Sequence, residues 1–251
     1  MTQARLMDGT ALARRIVEET AKKAADLTER TGSAPCLATV LVGEDPASVT
    51  YVRMKQNRCR KAGIESRHVA LPAATTTTEL VGALRELSAD PTVHGILLQH
   101  PMGDHIDERA AFEAIAPEKD VDGVTFASFA TMSFGLPGFV SCTPGGILRL
   151  LDEYDVDPAG KRAVVVGRSA ILGKPVGMLL LARDATVTYC HSRTRDLSAA
   201  VREADIVVAA VGRPRLIRGR TSSRARSSST RATTPATSAT STSTPPWSGP
   251  R

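Results

Sequence analysis

The chain has 251 residues, four cysteines and a formal net charge of +6, enough length for one large or two medium domains with a buried core. No apolar run approaches the ~20 residues of a membrane span, and the N-terminus lacks the apolar region of a signal peptide. We therefore expect a cytoplasmic protein without a membrane partner. The cysteines form no C-x-x-C pair and the five histidines show no ligand spacing, so we expect reduced, buried thiols and no metal site.

The positive charge is concentrated at the end of the chain. Residues 220–251 contain five arginines and no acid, which leaves about +1 for residues 1–219. This distribution does not favour nucleic-acid binding by a folded surface. Ser and Thr fill 17 of these 32 positions, and such a composition predicts disorder. A native linker and a shift of reading frame both remain open, and the second is preferred because a dinucleotide domain normally continues past this point.

The first half of the chain alternates helical and extended patterns. This alternation predicts an α/β architecture with a parallel sheet, whose functional groups gather at the carboxyl ends of the strands. The predicted helices are 8–32, with Asp8 as N-cap and Gly32 as terminator, 46–62, 78–88 and 107–115; the predicted strands are 36–42, 64–71 and 93–99.

The helix over 46–62 carries a possible proton-transfer pair. Tyr51 and Lys55 are four residues apart, so their side chains share one face, while Val49, Val52 and Cys59 are expected on the buried face. A tyrosine beside a partly desolvated lysine can position a ring and move a proton. A solvated basic face is the alternative.

Two polar positions follow strands of this first half. Gln99 ends the apolar run Gly95–Leu98, and Asp122 lies in the compact acidic turn 117–123. Taken singly, Gln99 is a strand-end hydrogen bonder and Asp122 a turn residue.

The second half begins with a strand, a glycine-rich turn and a helix. The apolar run 163–166 ends at Gly167, Arg168 and Ser169 follow, and a helix is expected from Gly173. Free amides and the dipole at such a helix N-terminus favour an anion. An ordinary βα loop is the alternative for this segment alone.

The next strand, 185–190, is followed by Ser192 and Arg193, with no acid at the position that would bind a ribose 2′-hydroxyl. Hydroxyl and guanidinium groups suit a 2′-phosphate, so the predicted cofactor is NADP. A third strand over 205–211 completes a β-α-β-α-β half.

Six motifs in order give the chain its resemblance to a known family. They are Tyr51-Val-Arg-Met-Lys55, Gly95-Ile-Leu-Leu-Gln99, Lys119-Asp-Val-Asp-Gly123, Cys142-Thr-Pro-Gly145, Val166-Gly-Arg-Ser-Ala-Ile-Leu-Gly-Lys-Pro175 and Cys190-His-Ser-Arg-Thr194. Together they resemble the bifunctional methylenetetrahydrofolate dehydrogenase/cyclohydrolase family.

The resemblance implies oxidation of 5,10-methylenetetrahydrofolate with NADP and hydrolysis of the methenyl product to 10-formyltetrahydrofolate. It implies an α/β folate-binding domain over 1–142, an incomplete Rossmann-like NADP domain over 143–219, and a disordered tail over 220–251. The implied partners are tetrahydrofolate derivatives and a second copy in a homodimer, with no nucleic acid and no membrane.

The resemblance also assigns roles to single residues. Lys55 is implied as the catalytic lysine, Tyr51 as a group that stacks on the folate, and Gln99 as a hydrogen-bond partner of Lys55. Asp122 is implied to bind the pterin edge. The NADP phosphates are assigned to the set Gly167, Arg168, Ser169 and Ser192.

The chain departs from the family at three places. His100-Pro-Met-Gly103 stands where Leu-Pro-Leu-Pro is usual, and Val124-Thr-Phe126 stands where the family has His-Pro. The family's closing segment has no counterpart, so residues 220–251 are expected to offer no strand to the second sheet. A non-catalytic product that retains the core of the fold is the alternative to an active enzyme.

Overall fold

The computed structural model describes residues 5–217 and 230–232, the last three by their backbone alone. In this part of the chain, the first half contains seven α-helices and β-strands and the second half contains eight. The first half contains α1 (Gly9–Thr31), β1 (Cys36–Val42), α2 (Pro46–Lys61), β2 (Glu65–Leu71), α3 (Thr77–Ala89), β3 (Gly95–Leu98) and α4 (Glu108–Phe112). The second contains α5 (Phe126–Ser133), α6 (Cys142–Glu153), β4 (Arg162–Val166), α7 (Gly173–Leu181), β5 (Thr186–Cys190), α8 (Leu197–Glu203), β6 (Ile206–Ala209) and β7 (Thr230–Ala232).

The first sheet is parallel, as the alternating pattern predicted. Its strand order is β2-β1-β3, so β1 is the central strand. Ala38 and Val40 on β1 are fully buried, because helices cover both faces of such a sheet. The acidic turn 117–123 begins with a 3-10 turn, Pro117–Lys119, which packs beside β3.

The capping residues of α1 were identified correctly. The Asp8 carboxylate accepts from the Thr10 amide, and Gly32 takes the left-handed conformation at φ 76°, which glycine adopts without strain. The apolar face of α1 is shallow, since Ala24 is its one buried residue and Leu12 and Ile16 are half-exposed.

The second sheet is also parallel, in the order β5-β4-β6-β7. The third predicted strand, β6, pairs with β4 on the side opposite β5. The order in which successive strands are added therefore switches from one side of β4 to the other. Ligands of open α/β sheets bind at the carboxyl ends of the strands beside such a switch point.

The expectation that nothing after residue 219 extends this sheet is wrong. β7 runs parallel to β6, with Ile206 opposite Thr230 and Val208 opposite Ala232. The unpaired amides and carbonyls along the edge of β6 accept any β-compatible segment, and composition alone did not reveal this one. The rest of the predicted disordered tail, 220–229 and 233–251, lies outside the described residues.

The two halves meet where α1 contacts α6. The Asp8 amide donates to the Tyr154 hydroxyl at 2.7 Å, and Met7 packs against the core of the second sheet. Among the helices described, none is both long and apolar enough to cross a membrane.

Candidate functional site

Helix α2 places Tyr51 and Lys55 together, as their spacing predicted. The Lys55 Nζ lies 4.5 Å from the centroid of the Tyr51 ring, and Tyr51 is 43% exposed. The helix begins at Pro46, and the Asp45 carboxylate accepts from the Ser48 amide at 2.8 Å. The buried face of α2 contains Ser48, Val52 and Cys59; the prediction for Val49 is wrong, since it is 40% exposed.

Lys55 is not part of a fully solvated basic face. Burial lowers the pKa of its amine, and the nearby Asp122, Cys142 and Cys59 oppose that shift by favouring the charged form. Burial disfavours an ammonium ion whereas neighbouring negative charge favours it. The Lys55 amine is therefore close enough to Asp122 of the acidic turn and to Cys142 at the start of α6 for both to affect its charge.

The acidic turn is held against the N-terminus of α6 by three hydrogen bonds. Ser141 Oγ donates to the Gly123 carbonyl at 2.9 Å, the Cys142 amide to the Asp122 carbonyl at 3.3 Å, and Cys142 Sγ to the Val121 carbonyl at 3.2 Å. At Gly123, φ is +65° and a Cβ would lie 2.5 Å from the Ser141 amide nitrogen. Only glycine fits this contact, which explains the Asp-Gly pair of the turn.

Cys142 belongs to this site, contrary to the expectation of an ordinary buried thiol. The residue keeps exposed surface. Burial of its sulfur, and secondly the nearby Asp122 carboxylate, raise the pKa of the thiol to about 12. The thiol therefore stays neutral and can donate a hydrogen bond. The Cys-Thr-Pro-Gly motif marked the position, but nothing in the sequence linked it to Lys55.

Asp120 is a second residue that sequence reasoning missed. It has no exposed surface, and its carboxylate accepts from the amides of Val124 and Thr125 and from Ser128 Oγ, at 3.1, 2.9 and 2.6 Å. The same residue forms an isolated parallel bridge to Ile96 of β3. Its burial depends on tertiary contacts with α5, a helix that the sequence analysis did not predict.

Gln99 forms no hydrogen bond to Lys55 among the described residues, so the implied contact stays a prediction. Its side-chain amide donates to the His100 carbonyl at 2.7 Å, and its Oε1, in a side chain 9% exposed, has no partner. A buried acceptor without a partner costs free energy. The residue nevertheless follows β3 at the carboxyl edge of the first sheet, where the functional groups were expected.

The unusual segments on either side of this edge have structural roles. Met102 is buried, and His105 contacts the Thr75 carbonyl at 3.1 Å. Thr125, also buried, caps α5 by accepting from the Ser128 amide at 3.1 Å. Val124 and Thr125 are therefore accounted for by the Asp120 network, whereas the Phe126 amide donates to the Glu113 carboxylate.

The glycine-rich turn after β4 brings three backbone segments into close contact. Gly167 has φ +124°, and a Cβ there would lie 2.6 Å from the Ala210 carbonyl oxygen. A Cβ on Gly173 would lie 2.5 Å from the Gly167 carbonyl oxygen. Both glycines are required by close approach of the backbone, which is how a dinucleotide turn is built.

The first amides of α7 are not free, so the prediction of an anion site at that helix N-terminus is wrong in detail. Ser169 Oγ accepts from the Gly173 amide at 3.1 Å, and the Ser169 carbonyl accepts from the Lys174 amide at 3.0 Å. Within the described part of the chain, the amides of residues 168–172 donate no hydrogen bond. These loop amides are the donors that fit a phosphate.

The side chains expected at the 2′-phosphate lie on neighbouring loops. Val166 pairs with Cys190, and the Gly167 amide donates to the Cys190 carbonyl at 2.8 Å. Arg168 lies two residues after Val166, and Ser192 lies two residues after Cys190; both are exposed. A cation and a hydroxyl at adjacent strand ends fit a phosphate, and residues 191–194 contain no acid that would repel it.

These features define a class of protein. Two parallel sheets, one with a lysine-centred cluster and one with a glycine-rich nucleotide turn, make a two-domain α/β protein with a dinucleotide-binding second domain. The comparison with known families agrees: the catalytic-domain model of the tetrahydrofolate dehydrogenase/cyclohydrolase family matches residues 7–122, and its NAD(P)-binding-domain model matches residues 141–224.

The chain belongs to the tetrahydrofolate dehydrogenase/cyclohydrolase family. It is 82% identical over 216 residues to bifunctional protein FolD 1 of Streptomyces avermitilis, covering 86% of this chain and 75% of that protein. The relative of Salinispora arenicola with the same name is 67% identical over 216 residues, covering 86% of this chain and 77% of the relative.

Solved structures give the same result. The bifunctional FolD enzyme of Campylobacter jejuni superposes with a TM-score of 0.85 at 41% identity, covering 87% of this chain and 77% of that one. The Trypanosoma brucei enzyme, solved with NADP and an inhibitor, gives 0.84 at 37% identity, covering 88% and 76%.

Proposed function

We propose that this chain oxidises 5,10-methylenetetrahydrofolate with NADP and hydrolyses the resulting methenyl compound to 10-formyltetrahydrofolate. The observation that carries the proposal is the half-buried Lys55, whose amine has a lowered pKa beside Asp122 and Cys142. The names of the similar proteins support it, since those of Campylobacter jejuni and Trypanosoma brucei are described as methylenetetrahydrofolate dehydrogenase/cyclohydrolases. No finding favours a non-catalytic product.

Lys55 is proposed as the catalytic group for proton transfer. A lowered pKa increases the neutral fraction of the amine, which can take a proton from water as the water attacks the electrophilic methenyl carbon. The hydroxyl adds to that carbon, the bond from the carbon to N5 breaks as N5 takes up a proton, and loss of the hydroxyl proton leaves a formyl group on N10. Gln99, at the adjacent strand end, is proposed to use its unpartnered Oε1 toward Lys55 or the substrate once the site is filled.

Tyr51 and Asp122 are proposed to bind the folate. The exposed ring of Tyr51 offers a stacking surface beside Lys55. The Asp122 carboxylate lies in the same environment, and a carboxylate can accept hydrogen bonds from the amino and ring N–H groups of a pterin.

NADP is proposed to bind across the carboxyl ends of β4 and β5. Gly167 lets its phosphates approach the backbone, the loop amides of 168–172 and Ser169 contact them, and Arg168 and Ser192 hold the 2′-phosphate. When bound, NADP accepts the hydride from the methylene carbon of the substrate. The protein contributes orientation, because hydride transfer requires the two carbons in contact.

A homodimer in the cytoplasm is proposed from the family resemblance. Exposed apolar side chains of the second half, Leu181 and Leu216 among them, supply surface that a second copy would cover. Light scattering on the purified chain distinguishes a dimer from a monomer.

The replacement Lys55→Ala tests the proposal directly. We expect hydrolysis of methenyltetrahydrofolate to fall by at least about a hundredfold, in line with the ~10²–10⁴-fold contribution of general acid–base catalysis. The matched control is Lys61→Ala, which removes an exposed lysine from the end of the same helix. Retained hydrolysis in Lys55→Ala would refute the role of this amine.

A further inference from the structure

We propose that Asp120 and Ser128 are positioning residues, which fix the turn 120–123 so that Asp122 faces Lys55. Because the role of Asp122 is part of the proposed function, this role of Asp120 and Ser128 rests on it. Neither residue touches the lysine or the nucleotide turn in the described structure; both act through the backbone that carries Asp122.

Asp120 is the fixed point of the turn. Its carboxylate is fully buried and accepts from three donors, one of them the Ser128 hydroxyl at 2.6 Å. Its backbone is bridged to Ile96 of β3, the strand that Gln99 follows. A buried carboxylate is tolerated only where its donors are all in place, so this network permits one position of the turn.

Ser128 supplies the one side-chain donor to the Asp120 carboxylate in the described part of the chain; the other two donors are the backbone amides of Val124 and Thr125. Ser128 is buried on α5; its amide donates to Thr125 Oγ1, and its hydroxyl accepts from the Thr125 hydroxyl, at 3.1 Å each. A hydroxyl bonded to a carboxylate is a charge-assisted donor, about twice as strong as a neutral one. Helix α5 is therefore attached to Asp120 through this hydroxyl.

The opposite side of the turn is fixed by α6. Ser141 Oγ bonds the Gly123 carbonyl, and Gly123 has no room for a Cβ. With both ends held, Val121 and Asp122 remain half-exposed, and Asp122 is the charged one of the two, close enough to Lys55 and Cys142 to act on both. Loosening the Asp120 end displaces Asp122 while the Ser141 end stays attached.

Ser128→Ala tests this role in the full-length chain. We expect tetrahydrofolate binding, measured by calorimetry, to weaken roughly five- to thirtyfold, the effect of leaving a buried charged acceptor without one donor. NADP affinity should stay within about twofold, because its candidate site lies on the other sheet. The matched control is Ser133→Ala on the same helix, whose exposed hydroxyl bonds only the Phe129 carbonyl; it should change neither affinity.

The pH dependence of hydrolysis provides a readout that loss of stability would not move. The groups that act on the Lys55 amine are Asp122 from the turn, Cys142 from α6, and Cys59 and Tyr51 from α2. If Asp122 moves away from the amine, the charged form loses its main stabilising partner. The pH at which Lys55 becomes neutral should then fall, and the rate profile of Ser128→Ala should shift to lower pH.

The outcomes separate this role from the proposed function. If Asp122→Asn leaves tetrahydrofolate affinity unchanged, the proposed function of Asp122 fails. If Asp122→Asn weakens binding but Ser128→Ala matches Ser133→Ala in affinity and pH profile, Asp120 and Ser128 are structural only and the positioning role is overturned. If Ser128→Ala does not fold, Ser128→Cys is used instead, because cysteine is nearly isosteric with serine but a weaker hydrogen-bond donor. Wild-type tetrahydrofolate affinity of Ser128→Cys would then contradict the positioning role.

Discussion

At the scale of single residues, the site depends on how neighbours tune one amine. Lys55 and Tyr51 were identified from their spacing in the sequence, because i,i+4 residues of a helix share a face. Asp120 and Cys142 were not, since their effect comes from contacts between segments distant in the chain. The orientation of Gln99 was not predicted either: its side-chain amide donates to the adjacent His100 carbonyl, a local geometry that the motif does not encode.

The lowered pKa of Lys55 predicts the pH dependence of hydrolysis. A proton acceptor must be neutral, so the rate should rise with pH through the pKa of Lys55, and burial moves this rise below the range of an exposed lysine. The Asp122 carboxylate holds the pKa up, so Asp122→Asn should shift the rise to still lower pH. Rates measured across the pH range check both shifts; a rise at the pH of an ordinary lysine would contradict them.

At the scale of helices and strands, periodicity predicted the first sheet and its helices with small errors at the ends. Helix α4 ends at Phe112 rather than at 115 because the chain continues in tighter i→i+3 turns, from the Ala114 and Ile115 amides. Helix α6 was missed since its first turn contains Pro144, Gly145 and Gly146, residues typical of loops. Its buried Ile147, Leu148 and Leu151 reach the second core only in three dimensions.

Opposite effects on stability are expected for two glycine replacements, one at the nucleotide turn and one in α6. Gly173→Ala should lower the free energy of unfolding by about 1–3 kcal/mol, since its Cβ meets the Gly167 carbonyl at 2.5 Å. Gly146→Ala, in α6 with open space around its Cβ, should raise that free energy by up to ~1 kcal/mol through helix propensity. Urea unfolding measures both; equal effects of the two replacements would contradict the packing of this turn.

The loops after β4 and β5 predict cofactor preference. Arg168→Ala should weaken NADP binding by roughly ten- to a hundredfold, the loss of a charge-assisted contact of about 1.5–3 kcal/mol, and leave NAD binding nearly unchanged. Arg162→Ala at the opposite end of β4 is the control and should affect neither. Calorimetry with both nucleotides decides, and a parallel loss of NAD and NADP affinity in Arg168→Ala would count against a 2′-phosphate contact.

At the scale of the whole molecule, the chain combines two parallel sheets whose helices α1 and α6 are in contact. The α/β class was predicted from the alternation of helical and extended patterns, and the family from six short motifs in order, several of which contain residues required at a strand end or a tight turn. The pairing of β7 with β6 was not predicted, since Thr230–Ala232 lies in a segment without apolar periodicity. Local patterns identify elements and turns; they do not specify which segment completes a sheet edge.

The central claim is that the lysine site and the nucleotide turn act on one folate carbon. The most direct measurement is NADPH formation by the full-length chain mixed with 5,10-methylenetetrahydrofolate and NADP. We predict NADPH formation that requires the folate, is far weaker with NAD, and is accompanied by 10-formyltetrahydrofolate as final product. A folded chain that binds NADP and tetrahydrofolate yet forms neither NADPH nor the formyl product would contradict the account.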